Sequence, residues 1–275
     1  MPDGEQRPFV PELDTNRPNV ARLYDLLLGG KNNFEPDRQL LQQVLKIAPE
    51  VPELAKENRR WLAKAVDRMV REGGINQFLD LGAGLPTAEN THEVAQRADP
   101  GATVVYVDND PTAIAHGEAL LVDEKQTYFA AGDLTDPAAV LADPVVTNAL
   151  DLNRPVGLML GMVLNHVPDT EHAREFIGAY MAALPSGSYL AISHPSNPRD
   201  GSRLAEFSSA VEDKLKVAFD DLYFRTGEEI AGLFDGLEIL EPGLVGLNEW
   251  WPPGEHLATP NGASRLLLAG LARKP

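Results

Sequence analysis

QFLDLGAGLPT, residues 77–87, reads as a buried strand, a tight turn and a helix N-terminus near Thr87. Phe78, Leu79 and Leu81 form a short apolar run that carries one acid, Asp80. Gly82 and Gly84 follow at alternate positions. Glycine lets the backbone approach a ligand closely. A helix start presents unpaired N–H groups. Alone, a Gly-x-Gly turn is a weak signal. What lies downstream strengthens it.

Thr103–Val107, TVVYV, reads as a second strand and ends in Asp108-Asn109-Asp110-Pro111. An acid at that place accepts hydrogen bonds from ribose hydroxyls in βαβ nucleotide sites. Gln126–Ala131 ends in Gly132-Asp133-Leu134, which suits an adenine edge or its amino group. Pro155–Leu160 ends in Gly161-Met162 and leads into Leu164-Asn165-His166-Val167-Pro168-Asp169. A fifth strand, Ser188–Ser193, opens into His194-Pro195-Ser196-Asn197. Helical segments near Thr87–Ala98, Pro111–Leu121, Asp136–Ala142 and Thr170–Leu184 separate these runs. The alternation predicts an α/β fold, a parallel sheet with helices on both faces. In such a sheet the C-terminal strand ends line one crevice, where ligands bind.

Upstream, Asn19 caps a predicted helix to about Leu28, with Val20, Leu23, Tyr24 and Leu27 on one face. Gly29-Gly30 stop it, and helices over about Pro36–Ile47 and Pro52–Arg71 follow. Downstream, an amphipathic helix spans about Ser202–Phe219, and Thr226–Glu229 has capping-box spacing for a short helix ending near Phe234. Two last strands, Leu237–Leu240 and Ser264–Ala272, flank a Pro-, Gly- and Trp-rich connection over 242–262. The organisation is a flexible arm (1–18), an N-terminal helical cap (19–74) and an α/β domain (75–275) that forms one structural unit with the cap.

The 24 basic and 41 acidic residues leave a charge of −17, which disfavours phosphate backbones as partners, so no nucleic acid is expected. Lys56, Arg59, Arg60, Lys64, Arg68 and Arg71 alternate with acids and read as a solvated helix face. With no cysteine there is no disulfide, no thiolate nucleophile and no cysteine-ligated cluster. No signal peptide is evident and the longest apolar stretch, Val156–Leu164, is too short to span a bilayer. A cytoplasmic protein with no membrane partner is the expectation. No spacing such as HExxH brings histidines and carboxylates together, so no metal is expected.

In their order, Asp80-x-Gly82-x-Gly84, Asp108, Gly132-Asp133 and the segment LNHVPD resemble class I S-adenosylmethionine-dependent methyltransferases. Pro86 stands where the usual loop has a third glycine, which keeps a helix start and removes one N–H donor. A closer resemblance covers nearly the whole chain. YDLLLGGKNNFEPDR (24–38), FLDLGAGLPT, HEVAQ, VVYVDNDP, RTGEEIAGLFDGLEILEPGLV and LLAGLARKP look like the bacterial S-adenosyl methyltransferase family, long catalogued as a domain of unknown function. The resemblance implies a Rossmann-like class I fold with a seven-stranded, mostly parallel sheet whose last strand is antiparallel. It implies S-adenosyl-L-methionine as cofactor and S-adenosyl-L-homocysteine as product. It leaves the acceptor open.

The resemblance implies that Gly82, Ala83, Gly84 and Leu85 contact the methionine part of the cofactor, against the reading of an ordinary turn. Asp80 orients its ammonium, or else caps a helix or sits in a buried salt bridge. Asp108 takes the ribose, and Asn109 and Asp110 line the adenosine, unless Asp110 merely caps the next helix. Gly132, Asp133 and Leu134 meet the adenine edge, or Asp133 caps the helix near Asp136. Gly161 and Met162 complete the site. Tyr24, Lys31, Asn32, Asn33 and Phe34 form either a lid over the cofactor or a helix–helix corner. His92 is a candidate for the cofactor carboxylate. Asn165, His166 and His194 are candidates for the substrate, with His166 a possible general base or an ordinary structural histidine. Trp250 and Trp251 either wall a pocket, form an oligomer contact or pack on the sheet edge.

The reading is therefore in-line methyl transfer to a small-molecule acceptor, favoured by the acidic surface. A nicotinamide-dependent oxidoreductase shares the Gly-x-Gly turn and the ribose acid, but lacks the third small residue and sets Asp80 against a pyrophosphate. A cofactor-binding protein without transferase activity has the same glycine loop. Oligomeric state is open, a homodimer among the options.

Overall fold

The computed structural model describes residues 14–87, 89–121, 125–252 and 262–275. Residues 1–13 of the expected arm and 253–261 of the expected connection lie outside them. The chain opens with three helices, α1 (Val20–Leu27), α2 (Glu35–Leu45) and α3 (Val51–Arg71). Asn19 caps α1, its side-chain oxygen accepting from the Arg22 N–H at 3.0 Å. Gly29, at φ +85°, takes the left-handed turn that ends it. The buried Asp37 then binds α1 to α2: it accepts from the Asn19 and Phe34 N–H groups and pairs with Arg22 at 2.9 Å.

An alternating series follows: β1 (Gln77–Leu81), α4 (Thr91–Ala98), β2 (Thr103–Asp108), α5 (Pro111–Leu121), β3 (Thr127–Ala131), α6 (Pro137–Ala142), α7 (Pro144–Ala149), β4 (Gly157–Gly161), α8 (Thr170–Ala183) and β5 (Tyr189–Pro195). The chain ends with α9 (Arg203–Lys216), α10 (Gly227–Ala231), β6 (Glu238–Ile239), β7 (Val245–Gly246) and β8 (Leu267–Arg273). The sheet order is β3-β2-β1-β4-β5-β8-β6, with β7 also on β8. The first five positions are parallel and β8 runs antiparallel to β5.

Among the described residues the sheet has eight strands, where seven were expected. The extra one comes from a broken edge. β6 pairs with Arg273 and Ala272, and β7 pairs with Ala269 and Leu268, so both lie along the same side of β8. Pro242 and Gly243 (φ +102°) stand between them and interrupt the ladder.

Alternate strand residues serve opposite faces. Leu79, Leu81, Val105 and Val107 pack with α7 and α8 side chains such as Val146, Phe176 and Tyr180. Phe78, Val104, Tyr106 and Met159 pack with Trp61, Ala65 and Met69 of α3 and Val94 of α4. Two smaller clusters join the cap to α9: Leu23, Leu40 and Val44 with Leu215, and Ala48 with Val211, Leu222 and Phe224.

Two local expectations change. The helix after the glycine turn begins at Thr91, four residues later than read from sequence. Asn90 delays it: its Oδ1 accepts from the Thr87 N–H at 2.9 Å and its Nδ2 donates to the Thr87 carbonyl at 2.6 Å. Glu93 accepts from the Asn90 N–H, so α4 brings its own cap and does not open directly onto the loop. Between β3 and β4 the predicted Asp136–Ala142 helix is present as α6, and a second helix that was not expected, α7, follows it, because Asp143 ends α6 and caps α7 through the Val145 N–H at 2.7 Å.

Candidate active site

The C-terminal ends of β1, β2, β3 and β4 open on a cleft of about 270 Å³, with α1 and α3 of the cap as its other wall. Gly82 and Gly84 take φ +68° and +64°. A Cβ on Gly82 would lie 2.3 Å from Val163 Cγ2, so the turn fits its place only without a side chain. Asp108 braces this turn: Oδ2 accepts from the Gly84 N–H at 2.7 Å and Oδ1 from the Asp110 N–H at 2.8 Å. Burial holds the Asp108 carboxyl above its ordinary pKa. Asp110 does two jobs. Its Oδ1 caps α5 through the Thr112 N–H at 2.8 Å, and its Oδ2 accepts from the Asn19 side chain, tying the cap to the sheet.

Asp80 is half-buried in the floor. Its Oδ2 accepts from the Thr91 hydroxyl at 2.6 Å. Burial raises its pKa to about 6, opposed by the Thr91 hydrogen bond and the Arg59 cation. Arg59 comes off α3, lines the same cleft and donates to the Glu89 carbonyl at 2.8 Å. An acid and a cation therefore face one compartment.

Fourteen of the residues singled out from sequence line this cleft: Tyr24, Asp80, Gly82, Ala83, Gly84, Leu85, Asp108, Asn109, Asp110, Gly132, Leu134, Gly161, Met162 and His166. Others do not. Lys31, Asn33 and Phe34 lie outside it. Their segment is held by hydrogen bonds within the cap. Asp25 accepts from the Asn32 N–H at 3.0 Å, Asn33 donates to the Gly30 carbonyl at 3.1 Å, and the Phe34 ring stacks near the Arg22 guanidinium. The segment is a corner, and α1 itself covers the cleft through Val20, Ala21 and Tyr24. His92 is buried against Tyr106, its Nδ1 2.8 Å from the phenol oxygen, and does not reach the cleft. Asp133 is exposed and closes its own turn, accepting from Thr135, while the flanking Gly132 and Leu134 face inward.

A second cavity, about 150 Å³, adjoins the cleft between α1, α3, α9 and the turn after β4. Val20, Tyr24, Met162 and His166 belong to the walls of both. Asn165 lines only the second. His166 stacks edge-on against Phe219 at 5.9 Å, and burial pushes its pKa down to about 4, against the pull of Asp221. It is a neutral imidazole at physiological pH. Tyr24 accepts from Asn58 at 2.9 Å and donates to the Ala55 carbonyl at 3.3 Å.

The turn that carries Asn165 and His166 is held from beneath by Arg225. This fully buried guanidinium donates to the Leu164 carbonyl at 2.7 Å, the Val167 carbonyl at 2.6 Å and the Thr170 hydroxyl at 3.1 Å. It also lies 2.9 Å from His194 Nε2, while His194 Nδ1 sits 2.7 Å from the Pro195 carbonyl. Arginine only donates, so His194 carries its proton on Nδ1 and accepts at Nε2. Burial and the Arg225 charge push its pKa down to about 3. His194 lines neither cavity; it belongs to this scaffold and not to a substrate surface.

Sequence reasoning passed over Asn19, Ala21, Arg59, Leu62 and Val163 in the cleft, and Arg225 beneath it. Arg59 had a readable signal. It stands four residues after the buried Ala55 and three before Leu62, on the apolar stripe of α3 rather than on its solvated face. Of the three alternatives for Trp250, the structure shows packing on the sheet: it lies edge-on against Trp61 at 5.6 Å and donates to the Ala269 carbonyl at 3.0 Å, in the core.

The donor set fits an amino-acid-bearing adenosine. Asp80 suits an ammonium, Arg59 a carboxylate, and Asp108 retains lone pairs for ribose hydroxyls. The side-chain-free turn at Gly82 and Gly84 lets backbone approach such a ligand. A pyrophosphate would meet Asp80 and Asp108 as like charges. The fold and cleft thus define a class I, S-adenosylmethionine-dependent methyltransferase.

The chain belongs to the S-adenosyl methyltransferase family, whose model it matches over residues 6–275. A crystal structure of a candidate methyltransferase from Thermobifida fusca YX is 39% identical, with a TM-score of 0.88, and the match covers 96% of this chain and 97% of that one. A DUF574 family protein from Streptomyces avermitilis MA-4680 is 34% identical, with a TM-score of 0.87, over 95% and 99% of the two chains. The N-methyltransferase NodS from Bradyrhizobium japonicum WM9, in complex with S-adenosyl-L-homocysteine, shares the fold at 14% identity and a TM-score of 0.52, over 92% and 99%. Comparison with curated protein sequences finds no match. Family membership sets aside the nicotinamide-dependent reading. Among the described residues no helix is long and apolar enough to cross a membrane.

Proposed function

We propose that the methyl acceptor is a small molecule held in the second cavity, and that the methyl group crosses the wall shared by Val20, Tyr24, Met162 and His166. That shared wall is the observation that supports the reading. Bound in the cleft, S-adenosyl-L-methionine supplies a sulfonium methyl that passes in line to the acceptor atom, the electron pair of the broken C–S bond staying on sulfur to give S-adenosyl-L-homocysteine. The protein's own contribution is position. Arg59 and Asp80 hold the two ends of the amino-acid part, Asp108 holds the ribose, and the Gly132–Leu134 backbone meets the adenine. Gly161 and Met162 shape the floor between cleft and cavity. His166, neutral at the boundary, accepts a proton if the acceptor carries one. Holding two reactants in register supplies several kcal/mol of a transfer barrier. A chain of net charge −17, with an apolar cavity of about 150 Å³, favours a small acceptor over a nucleic acid.

The test uses tritiated S-adenosyl-L-methionine with the low-mass and the macromolecular fractions of a bacterial extract. Label should enter the low-mass fraction only. Val211→Phe, which fills the second cavity from α9, should abolish that transfer and leave S-adenosyl-L-homocysteine binding intact by calorimetry. Label in the macromolecular fraction, or transfer that survives Val211→Phe, overturns the proposal. Asp108→Ala should abolish binding of both cofactor forms.

A further inference from the structure

We infer that the second cavity selects an uncharged acceptor about one ring in size that carries an O–H or N–H donor, and that Asn165 reads that donor. The inference rests on the acceptor reading above and adds the chemistry of what enters.

Size comes first. The cavity is about 150 Å³. A cavity of roughly that volume, lined by aliphatic and aromatic side chains, takes up a benzene ring. Charge is decided by the walls. Among the described residues no Asp, Glu, Lys or Arg side chain lines the cavity, and the one imidazole there, His166, is neutral. An ion entering here loses its hydration with no counter-charge to replace it.

Of the polar residues that line the cavity, His166 sits on the wall shared with the cleft, where it faces the reacting atom, and the others are sorted by their hydrogen bonds. Ser208 Oγ donates to the Ser196 carbonyl at 2.8 Å, and Ser196 Oγ lies 3.2 Å from the Leu266 carbonyl. Tyr24 is engaged with Asn58 and Ala55. Asn165 differs. It is 4% exposed, and its side-chain oxygen is buried without a hydrogen-bond partner among the described residues. A buried carbonyl oxygen left that way costs the protein free energy, and a donor that reaches it recovers the loss. The residue is also fixed in place. Its own carbonyl accepts from the Tyr223 N–H at 2.8 Å, and Arg225 grips the carbonyls on both sides, Leu164 and Val167. A rigid, unsatisfied acceptor in an apolar cavity discriminates by hydrogen bond rather than by shape alone. The fitting class is a neutral monocyclic hydroxyl or N–H compound.

The experiment uses the full chain saturated with S-adenosyl-L-homocysteine, and measures binding of phenol, anisole, toluene and benzoate by ligand-observed NMR. Phenol should bind about tenfold more tightly than anisole or toluene, the worth of one hydrogen bond to a buried acceptor. Benzoate should bind most weakly. In Asn165→Leu, which is close in size, phenol should lose that advantage and toluene should equal or exceed it. Equal binding of phenol, anisole and toluene to the wild type overturns the inference, as does preference for benzoate, or an unchanged ranking in the variant. The wild-type series decides the matter even if the variant does not fold. Titration with S-adenosyl-L-homocysteine is read separately. Its failure to bind sinks the methyltransferase reading itself, whereas its binding with no preference for phenol sinks only the role of Asn165.

Discussion

Asp80→Asn should make the cofactor-free protein more stable at neutral pH while destroying its cofactor site. Asp80 lies half-buried near the end of β1, and its pKa rises from an ordinary 3.8 to about 6 because desolvation disfavours the charged form. The folded protein therefore binds the Asp80 proton more tightly than the unfolded chain does. Stability from this group is fully present below pH 3.8 and is lost as pH rises through about 6. A shift of roughly two units at ~1.4 kcal/mol each amounts to about 3 kcal/mol at pH 7.5. Asparagine removes the charge and keeps an oxygen for the Thr91 hydroxyl, which now lies at 2.6 Å. The assay is urea unfolding of wild type and Asp80→Asn without cofactor at pH 7.5 and at pH 3.5. The variant should gain up to ~3 kcal/mol at the higher pH. That gain should vanish at the lower pH, where Asp80 is already neutral. Calorimetry at pH 7.5 should show its affinity for S-adenosyl-L-methionine reduced by tenfold or more, because the ammonium has lost its counter-charge. A variant that is less stable at pH 7.5, or equally favoured at both pH values, refutes the account of Asp80 as a charge held in place for a ligand.

Four further outcomes are expected. Arg59→Met should leave α3 folded and weaken S-adenosyl-L-homocysteine binding tenfold or more, since a charge-assisted hydrogen bond to a carboxylate is worth ~1.5–3 kcal/mol; unchanged calorimetric affinity removes Arg59 from the site. Gly82→Ala places a Cβ at φ +68° and 2.3 Å from Val163 Cγ2, and should cost about 2–4 kcal/mol in urea unfolding. Adding Val163→Ala should recover the steric part and not the backbone part. Arg225→Met strips donors from the Leu164 and Val167 carbonyls and from His194, so unfolding should show a loss of at least about 3 kcal/mol, with Arg225→Lys unable to restore the fork. His166 should titrate near 4 in an NMR pH series, its neutral form contributing stability that is present above pH 6.5 and lost as pH falls through about 4; an acid limb of kcat/KM near 6.5 that disappears in His166→Gln contradicts this.

The central strands were legible because their signals are local. Phe78 and Leu79 alternate between two apolar faces, Gly82 must take a positive φ, and Asp108 ends a β-branched run; each fact is written within a few residues. Boundaries were less legible where side chains compete with the backbone. Asn90 holds Thr87 in a turn and delays α4, and Asp143, which ends the expected α6, at once caps a second helix, α7, that was not expected. The edge of the sheet misled for a related reason: β6 and β7 are two residues each, too short for any period to show.

The sequence by itself determined the α/β alternation, the glycine turn and the ordered acids at the strand ends, and with them the cofactor class. Which side chains share a compartment was decided only by the tertiary structure. Arg59 looked like one member of a solvated charged run until α3 packed across the cleft and turned it toward Asp80. The segment with Tyr24 and the KNNF turn read as either a lid or a corner; Asp25 and Asp37 hold the KNNF turn internally, while Tyr24, with Val20 and Ala21 of α1, lines the cleft. Asn165, His166 and His194 were read as one group, yet Arg225, about thirty residues further along than His194, separates them, drawing His194 into the scaffold and leaving the other two at the cavity. The physical reason is common to all three cases. Backbone periodicity and turn preference act over a few residues, whereas burial, charge pairing and the choice of hydrogen-bond partner depend on groups that only the folded chain brings within about 3 Å of one another.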